Sequence, residues 1–405
     1  MRPLPARTTA VLGAAMALLA LAPAAAAHAA PRAGATGARD RAFTSGYTFL
    51  DGVSCPAASF CMAVGAAVDA DNRLRTLAER WDGTAWHIVP TLNQGGPRDA
   101  NELLSVSCAS PASCMAVGDA QNGAVPLAEA WNGSAWSLLQ TPVPPDGRDA
   151  TLASVSCPAS SSCVAAGSRN DHSGVPPATL IERWNGLRWA LVPSPNPSGS
   201  IASALWGISC ASAAVCTAVG DFTVTNPNET TLVEQANGNT WTVVPSPGLP
   251  GRQTALYAVD CVSATVCRAA GAEYHNAGGN FVAMPLTGRE SGGTWHVSPA
   301  PYPAGTTYDL FGGVACVSAA ACIATGSTMS SVAIRTLVES TSGGSWTIVP
   351  SPNAPGTLSA LEGISCVSAD LCMAVGDNDN GSGQRLPLSE QWNGTAWAIV
   401  PAPNP

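Results

Sequence analysis

The chain has 405 residues, a formal net charge of −9 and only 11% charged residues, and all 18 of its basic residues are arginine. An acidic chain with no lysine and no basic cluster is a poor partner for nucleic acid or an anionic membrane surface. Hydrophobic content of 46% excludes a disordered chain, and 40 Gly with 33 Pro exclude a helical bundle.

Residues 1–29 read as a secretory signal peptide. Arg2 and Arg7 supply the positive start, Val11 to Leu21 the apolar stretch, and Ala27-His28-Ala29 a small-residue cleavage site. Pro23 and the short apolar run argue against a membrane anchor, and no later stretch reaches about 18 apolar residues. Residues 30–45 are expected to be a flexible mature N-terminus, and 46–405 a single repeat domain.

The repeat is set by cysteine. Fourteen Cys form seven C-x5-C pairs: Cys55 with Cys61, Cys108 with Cys114, Cys157 with Cys163, Cys210 with Cys216, Cys261 with Cys267, Cys316 with Cys322, and Cys366 with Cys372. Their first members lie 53, 49, 53, 51, 55 and 50 residues apart. A near-constant period of this length marks a repeat architecture. Val or Ile stands two residues before each first Cys, and Leu or Phe five before. Gly follows ten residues after it: Gly65, Gly118, Gly167, Gly220, Gly271, Gly326 and Gly376. Each copy closes on a Trp: Trp86, Trp136, Trp189, Trp241, Trp295, Trp346 or Trp397.

Four short strands, A to D, are predicted per copy. In copy two they are Leu103–Cys108, Cys114–Gly118, Leu127–Trp131 and Trp136–Leu139. An Asn-Gly or Asp-Gly turn between C and D predicts a two-residue hairpin loop, pairing Trp81 with Thr84 and Glu79 with Trp86. Alternation then puts Glu79, Trp81 and Trp86 on one sheet face. A Pro-rich link ends strand D. Small residues on strand A (Gly52, Ser105, Ser154, Gly207, Ala258, Gly313, Gly363) suit strands crowding round an axis. A four-stranded sheet of this size needs neighbouring sheets to cover its faces. The reading is an all-β, seven-bladed β-propeller with four antiparallel strands per blade and one A–B hairpin disulfide per blade; a linear solenoid fits four distinct strands per copy less well. The x5 spacing lacks the C-x2-C knuckle of zinc sites, so the pairs read as disulfides of an exported protein.

The Gly followed by Trp-x-Gly-x-x-Trp resembles kelch-type propeller repeats, including the galactose-oxidase-like group. The hairpin Asn132-Gly133-Ser134-Ala135-Trp136 is similar to the Asp-box hairpin of sialidase-type propellers. The Ser-Cys-x5-Cys-x-Ala-Val-Gly unit most resembles secreted actinobacterial repeat proteins, over about residues 46–405. The resemblance implies a propeller and export. Copper chemistry of the galactose-oxidase kind is not implied, because every Cys is already paired.

Functional candidates are few. Strand C carries Glu79, Glu129, Glu182, Glu234, Glu339 and Glu390, with Gly288 in copy five. A residue present in nearly every copy is expected to build blades, accepting backbone or Trp N–H bonds, whereas a catalytic group would be unique. The B–C loops differ most between copies, so the face they share is the expected functional face. Its ligand-binding candidates are Asp171, His172, Phe222, Tyr274, His275, Asp377 and Asp379. Asp377 and Asp379 alternate like calcium ligands, but no distal Glu completes the loop. No cofactor, metal ligand set or catalytic residue is expected. The expected function is a monomeric, extracellular, non-enzymatic binding or scaffold propeller, with a glycan, envelope polymer or protein as partner. The alternative is a sialidase-like, glycoside-active enzyme, which would need an Arg cluster drawn from Arg73, Arg75, Arg169, Arg252, Arg335 and Arg385.

Overall fold

A computed structural model of the chain describes residues 43–144, 148–170, 176–225, 228–277 and 280–405. The proposed signal peptide therefore lies outside the described residues. Among them there are 28 strands and no helix.

The strands fall into seven consecutive sets of four. Blade 1 holds β1 (Phe43–Ala57), β2 (Phe60–Asp69), β3 (Leu74–Trp81) and β4 (Trp86–Val89). Blade 2 holds β5 (Asn101–Ser110), β6 (Ser113–Ala120), β7 (Val125–Trp131) and β8 (Trp136–Leu139). Blade 3 holds β9 (Arg148–Ala159), β10 (Ser162–Asn170), β11 (Ala178–Trp184) and β12 (Trp189–Val192). Blade 4 holds β13 (Ala202–Ser212), β14 (Val215–Thr225), β15 (Asn228–Asn237) and β16 (Thr240–Val244). Blade 5 holds β17 (Gln253–Ser263), β18 (Val266–Ala277), β19 (Asn280–Ser291) and β20 (Thr294–Pro299). Blade 6 holds β21 (Tyr308–Cys316), β22 (Ala321–Met329), β23 (Ile334–Ser342) and β24 (Trp346–Ile348). Blade 7 holds β25 (Ser359–Ser368), β26 (Leu371–Asp379), β27 (Arg385–Trp392) and β28 (Trp397–Ile399).

The first strand of each blade touches the first strand of the next, β1 to β5 to β9 to β13 to β17 to β21 to β25, and β25 returns to β1. The ring is closed, and each blade comes from one copy of the repeat. Parallel bridges reinforce two junctions, Ala283↔Tyr308 between blades 5 and 6 and Tyr47↔Arg385 between blades 7 and 1.

A single contact recurs at the inner edge. The amide of the first cysteine donates to the side chain that precedes the first cysteine of the previous blade. Cys108 N meets Ser54 Oγ at 3.0 Å, Cys157 N meets Ser107 Oγ at 2.9 Å, and Cys210 N and Cys261 N meet Ser156 and Ser209 Oγ at 3.0 Å. Asp260 replaces serine and accepts from Cys316 N at 2.7 Å. Ser365 closes the ring by accepting from Cys55 N at 3.0 Å. Ala315 has no side chain to serve Cys366, so blades 6 and 7 lack this bond.

The small residues of strand A permit this approach. A Cβ on Gly52 would lie 3.0 Å from Ser105 Cα, one on Gly207 2.9 Å from Ala258 Cα, and one on Gly363 2.8 Å from Asp51 O. The invariant glycine of strand B answers a different constraint. Strand A carries a β-bulge opposite it, as between Leu205↔Gly220 and Gly207↔Val219. In all seven blades a Cβ on that glycine would fall 1.9–2.1 Å from a strand-A carbonyl oxygen.

The cysteines pair as the spacing predicts, each within its own A–B hairpin. Disulfides join Cys55 to Cys61, Cys108 to Cys114, Cys157 to Cys163, Cys210 to Cys216, Cys261 to Cys267, Cys316 to Cys322 and Cys366 to Cys372. The Cα–Cα distances are 3.9–4.1 Å, and no cysteine among the described residues is free. The second cysteines (Cys61, Cys114, Cys163, Cys216, Cys267, Cys322 and Cys372) open strand B and are the more deeply buried members, each at most 3% exposed. Cys114 belongs to an apolar cluster that crosses blades, in which Phe60, Met62 and Val64 of blade 1 pack with Leu103, Cys114 and Trp136 of blade 2. At the closure, Leu50, Cys61, Trp81 and Trp86 pack with Met373 and Val375.

The C–D hairpin departs from the two-residue expectation in blade 1. Trp81 pairs with Trp86, not Thr84, and Glu79 pairs with Ile88. The loop is Asp82–Ala85, and Asp82 Oδ1 accepts from the amides of Thr84 and Ala85. Asn132, Asn185 and Asn393 do the same. A side chain that caps its own turn favours the longer loop. Two-residue turns occur where that register differs, at Asn237↔Thr240 and Ser291↔Thr294.

The recurring glutamates are fully buried between blades. They do not bond tryptophan N–H groups. Leu92 N donates to Glu129, Ser194 Oγ to Glu234 at 2.8 Å and Ser351 Oγ to Glu390 at 2.6 Å, each donor lying on the D–A link of the preceding blade. Ala300 and Ala402 stand at the position of those serines ahead of Glu339 and Glu79, and neither carboxyl oxygen of these two has a partner among the described residues. The strand-D indoles instead face apolar side chains, as Trp136 does Ala78. Trp86 alone meets a hydroxyl among the described residues, Ser389 Oγ, at 3.0 Å. Burial pushes Glu79, Glu182 and Glu339 up to about 8, and Glu234 and Glu390 up to about 7. Glu79, Glu182 and Glu339 are therefore neutral acids in the folded ring at neutral pH, and Glu234 and Glu390 become so below it.

Both the joint and the buried acids can be tested by stability. Ala315→Ser should raise unfolding stability, and Ser365→Ala should lower it, each by about 0.5–1.5 kcal/mol in denaturant titration; an inert Ala315→Ser would refute the role given to the joint. Because the folded state keeps protons that the unfolded state releases above about 4.5, stability should be greatest below that pH and fall as pH rises through 7–8. Glu79→Gln should flatten this decline, as read from Tm against pH.

Candidate functional site

The bulge in strand A releases one residue per blade from the regular pattern. These residues are Asp51, Leu104, Ala153, Trp206, Tyr257, Gly312 and Glu362, four before the first cysteine. They differ in every copy, whereas their neighbours are nearly constant. A bulge re-aims a side chain without altering the ladder on either side, which suits a functional position.

The bulge residues of blades 4 and 5, Trp206 and Tyr257, belong to an aromatic and carboxylic cluster that Tyr308 of blade 6 joins. Trp206 Nε1 donates to Asp221 Oδ1 at 2.5 Å. Asp221 is hydrogen-bonded in turn to Glu229, which lies on the same face of the next strand. Burial, then the charge of Glu229 and the bond to it, hold the Asp221 carboxyl well above its ordinary range. Asp221 is therefore held as a neutral acid. In blade 5 the Tyr257 and Tyr274 hydroxyls meet at 2.5 Å. Burial pushes both phenols up. Tyr308 of blade 6 packs against Tyr274 at 6.1 Å between ring centroids.

The outermost member is Phe281. Its ring lies 5.7 Å from that of Tyr274 with planes 10° apart, yet it is 52% exposed. Unusually long strands put it there. β18 and β19 have 12 residues each and remain paired out to Ala277↔Asn280, whereas β6 and β7 have 8 and 7. Exposed Val224 lies at the end of β14, Tyr302 on the link from blade 5 to blade 6 and Val332 on the B–C connection of blade 6.

A second group of carboxyls lies in blades 1 and 2. Glu102 pairs directly across the ladder with Asp119, and burial, followed by the charges of Asp119 and Asp51, raises it well above its ordinary range. Burial brings Asp119 to about 7.

The candidates read from the sequence fare differently. Asp171 and His172 lie outside the described residues. Phe222 is half-buried against the blade 4 core. Tyr274 is in the aromatic cluster. His275 is on the opposite face of β18, 3.2 Å from Arg252 Nη1. Asp377 is buried in an ion pair with Arg385 at 2.6 Å, and Asp379 accepts from Thr357 N at 2.8 Å and Thr357 Oγ1 at 2.6 Å. The described candidates are spread over three blades, and the structure joins only Tyr274 to the cluster. Sequence reading missed Trp206, Asp221, Glu229, Tyr257, Phe281 and Tyr308. The signal available was the variability of one strand-A position inside an otherwise constant motif.

No protein-family model matches the sequence, and no curated protein matches it. Among solved structures, the chain is similar to a polysaccharide lyase of family PL25, an ulvan lyase, at 8% identity and a TM-score of 0.53, over 90% of this chain and 96% of that one. It is also similar to YCF48 bound to a D1 peptide (13% identity, TM-score 0.49, 87% and 95% covered) and to the fucose-specific lectin of Aleuria aurantia (12% identity, TM-score 0.44, 76% and 96% covered). These likenesses concern the fold, and the fold is a β-propeller.

Asp221→Asn should keep the Trp206 bond and leave stability nearly unchanged, because the wild-type acid is already neutral. Asp221→Leu should cost about 1–3 kcal/mol by stranding the indole N–H. Equal stability of the two variants in denaturant would refute the assigned protonation.

Proposed function

We propose that this protein is an exported, glycan-binding β-propeller whose ligand rests on the face formed by the B–C connections of blades 4 to 6. The observation that carries the reading is Phe281, an exposed ring stacked on Tyr274 and backed by Trp206, Tyr257 and Tyr308. A rigid aromatic platform with polar groups at its edge stacks on the apolar face of a sugar ring while the edge groups bind hydroxyls.

Other features support binding over glycoside cleavage. Glycosidases hold their two carboxyls about 5–5.5 Å apart, or about 6.5–9.5 Å when a water lies between. Asp221 and Glu229 are hydrogen-bonded to each other, too close to straddle a glycosidic bond. Four of the six arginines that a sialidase-like site would gather are engaged within separate blades or links. Arg75 bonds Asp69, Pro97 O and Asp99 O; Arg335 bonds Gly356 O; Arg385 bonds Asp377 and Tyr47; Arg252 is paired with Glu273. Seven disulfides suit an oxidising compartment outside the cell. No helix among the described residues is long and apolar enough to cross a membrane.

The test is a glycan and envelope-polysaccharide array probed with the oxidised protein. Saturable binding is expected, weakened about tenfold or more by Phe281→Ala. Binding that ignores Phe281→Ala would move the site elsewhere, and turnover of a bound glycan would replace the binding reading with an enzymatic one.

A further inference from the structure

The face opposite the Phe281 platform is formed by the A–B and C–D turns, and in blade 5 it carries a row of cations. Ladder partners line up across the whole blade. Asp260 on β17 opposes Arg268 on β18, Arg268 opposes Arg289 on β19, and Arg289 opposes His296 on β20. Directly opposed residues of antiparallel strands share a sheet face, with Cβ atoms about 4.5–5.5 Å apart.

Blade 3 shows what one arginine needs at this level. Its row holds Arg183 between Val164 and Ala190. Arg183 reaches across to blade 4, where Ala213 O and Gly238 O accept from Nη1 and Nη2, each at 2.7 Å. Blade 5 has two arginines and one such bond, from Arg268 Nη2 to Ala319 O of blade 6 at 3.1 Å. Ala319 stands where Ala213 stands in its blade, and Arg289 stands where Arg183 does. The carbonyl that would serve Arg289 is thus bonded to Arg268. Arg289 is exposed and has no bonding partner among the described residues.

No carboxylate among the described residues is ion-paired with either arginine. Asp260, at the inner end of the row, accepts from Cys316 N at 2.7 Å and from Ser209 Oγ at 3.4 Å. Glu290 is buried, and strand alternation turns it to the other sheet face. The facing turns of blade 6, residues 317–320 and 342–345, contain only Val, Ser, Ala and Gly. Burial, followed by the charge of Arg289, holds the Arg268 guanidinium below its ordinary range. Like charges directly opposite on a ladder destabilise it. A chain with 27 acidic and 18 basic residues has set two arginines together with no counter-charge.

We propose that Arg268 and Arg289 form an oxyanion site at the outer junction of blades 5 and 6, taking the sulfate or phosphate monoester groups of an anionic polymer. The guanidinium is a planar fork that stays charged at any physiological pH and matches such oxyanions with paired N–H donors. A monoester presents three terminal oxygens, enough for one fork and a bond from the second guanidinium. A carboxylate has two, which a single fork occupies. The site is open to solvent, so a single ion is held weakly, and groups repeated along a polymer raise the affinity by local concentration. It lies on the other face of the ring from Phe281 and does not depend on the glycan reading.

The experiment is calorimetry of the oxidised protein at low ionic strength with dextran sulfate, phosphorylated dextran, carboxymethyl dextran and plain dextran. Saturable binding of the sulfated or the phosphorylated polymer is expected, about tenfold tighter than that of the other two, and whichever binds identifies the ester. Arg289→Ala should weaken it about tenfold or more, and Arg289→Lys should recover part of the loss. Arg183→Ala, which removes the same charge from a matched arginine, and Phe281→Ala should leave it unchanged. Without polymer, Arg289→Ala should melt no lower than wild type, and the bound polymer should raise the Tm of wild type only. Carboxymethyl or plain dextran bound as tightly as the esters would overturn the proposal, as would no binding of either ester. An equal loss in Arg183→Ala would reduce the effect to net charge, and a loss in Phe281→Ala would move the polymer to the opposite face; either overturns the site. A clear fall in the Tm of polymer-free Arg289→Ala would overturn it too, by showing that Arg289 is matched within the ring.

Discussion

How closely one innermost strand can lie against the next governs the whole ring. At the inner edge the blades meet backbone to backbone, and the amide of each first cysteine would otherwise face a neighbour with nothing to accept its proton. A short hydroxyl or carboxyl one residue ahead of the previous blade's cysteine accepts it at 2.7–3.0 Å. That geometry admits only a small side chain two residues earlier: Gly52, Gly207 and Gly363 have no room for a Cβ, and Ser105 and Ser154 accept a further bond from the next blade. It also requires the A–B hairpin to hold its place, and the disulfide sits at that point. The Ser-Cys-x5-Cys unit is thus one inter-blade joint with three parts, and no part is informative alone. The strand-B glycine completes it by letting the bulge carbonyl pass.

This explains what could be read from the sequence and what could not. The period, the pairing of cysteines, the strand count and the glycine are local, repeated seven times, and each is dictated by a contact that every blade makes. The C–D register was not legible because Asp82 and Asn132 signal a turn in either register. Only the capping of two amides by one side chain selects the longer loop. The partners of the strand-C glutamates were not legible because they lie on the link of the preceding blade. Once the ring is known, the alanines at positions 300 and 402 explain why Glu339 and Glu79 lack the hydroxyl donor that Glu234 and Glu390 have. Sequence periodicity reports what a residue does within its repeat and says little about what it meets across a junction.

The candidate site was illegible for a related reason. Variable loops drew the sequence reading toward residues such as Asp377 and Asp379, which the structure spends on Arg385 and Thr357. The chemistry instead collects at the bulge position, which contributes one side chain per blade and is silent in any single repeat. Trp206 and Tyr257 acquire meaning only when the ring sets them beside Asp221, Glu229, Tyr274 and Tyr308.

The division of labour between constant and variable positions also explains why such a cluster can be carried at all. A buried acid pair and a pair of buried phenols are costly to desolvate, and in the middle of a blade they would displace the cross-blade apolar packing. Here the cost is limited in two ways. Asp221 keeps its proton, so its burial strands no charge, and Trp206 donates a hydrogen bond to it. The cluster also lies where β14, β15, β18 and β19 run on past the strand-B glycine, outside the layer in which Val219, Val233, Leu256 and Trp295 seal blade 4 against blade 5. The ring below is secured by joints common to the blades, so the extension above it is free to trade stability for an exposed aromatic ring. That trade is uneven around the ring. Blades 4 and 5 have the long strands and the aromatic bulge residues, while blades 1 and 2 have short outer strands and carboxyls. A ligand that needed only a ring of equivalent sites would call for seven similar blades; this chain has invested in one sector.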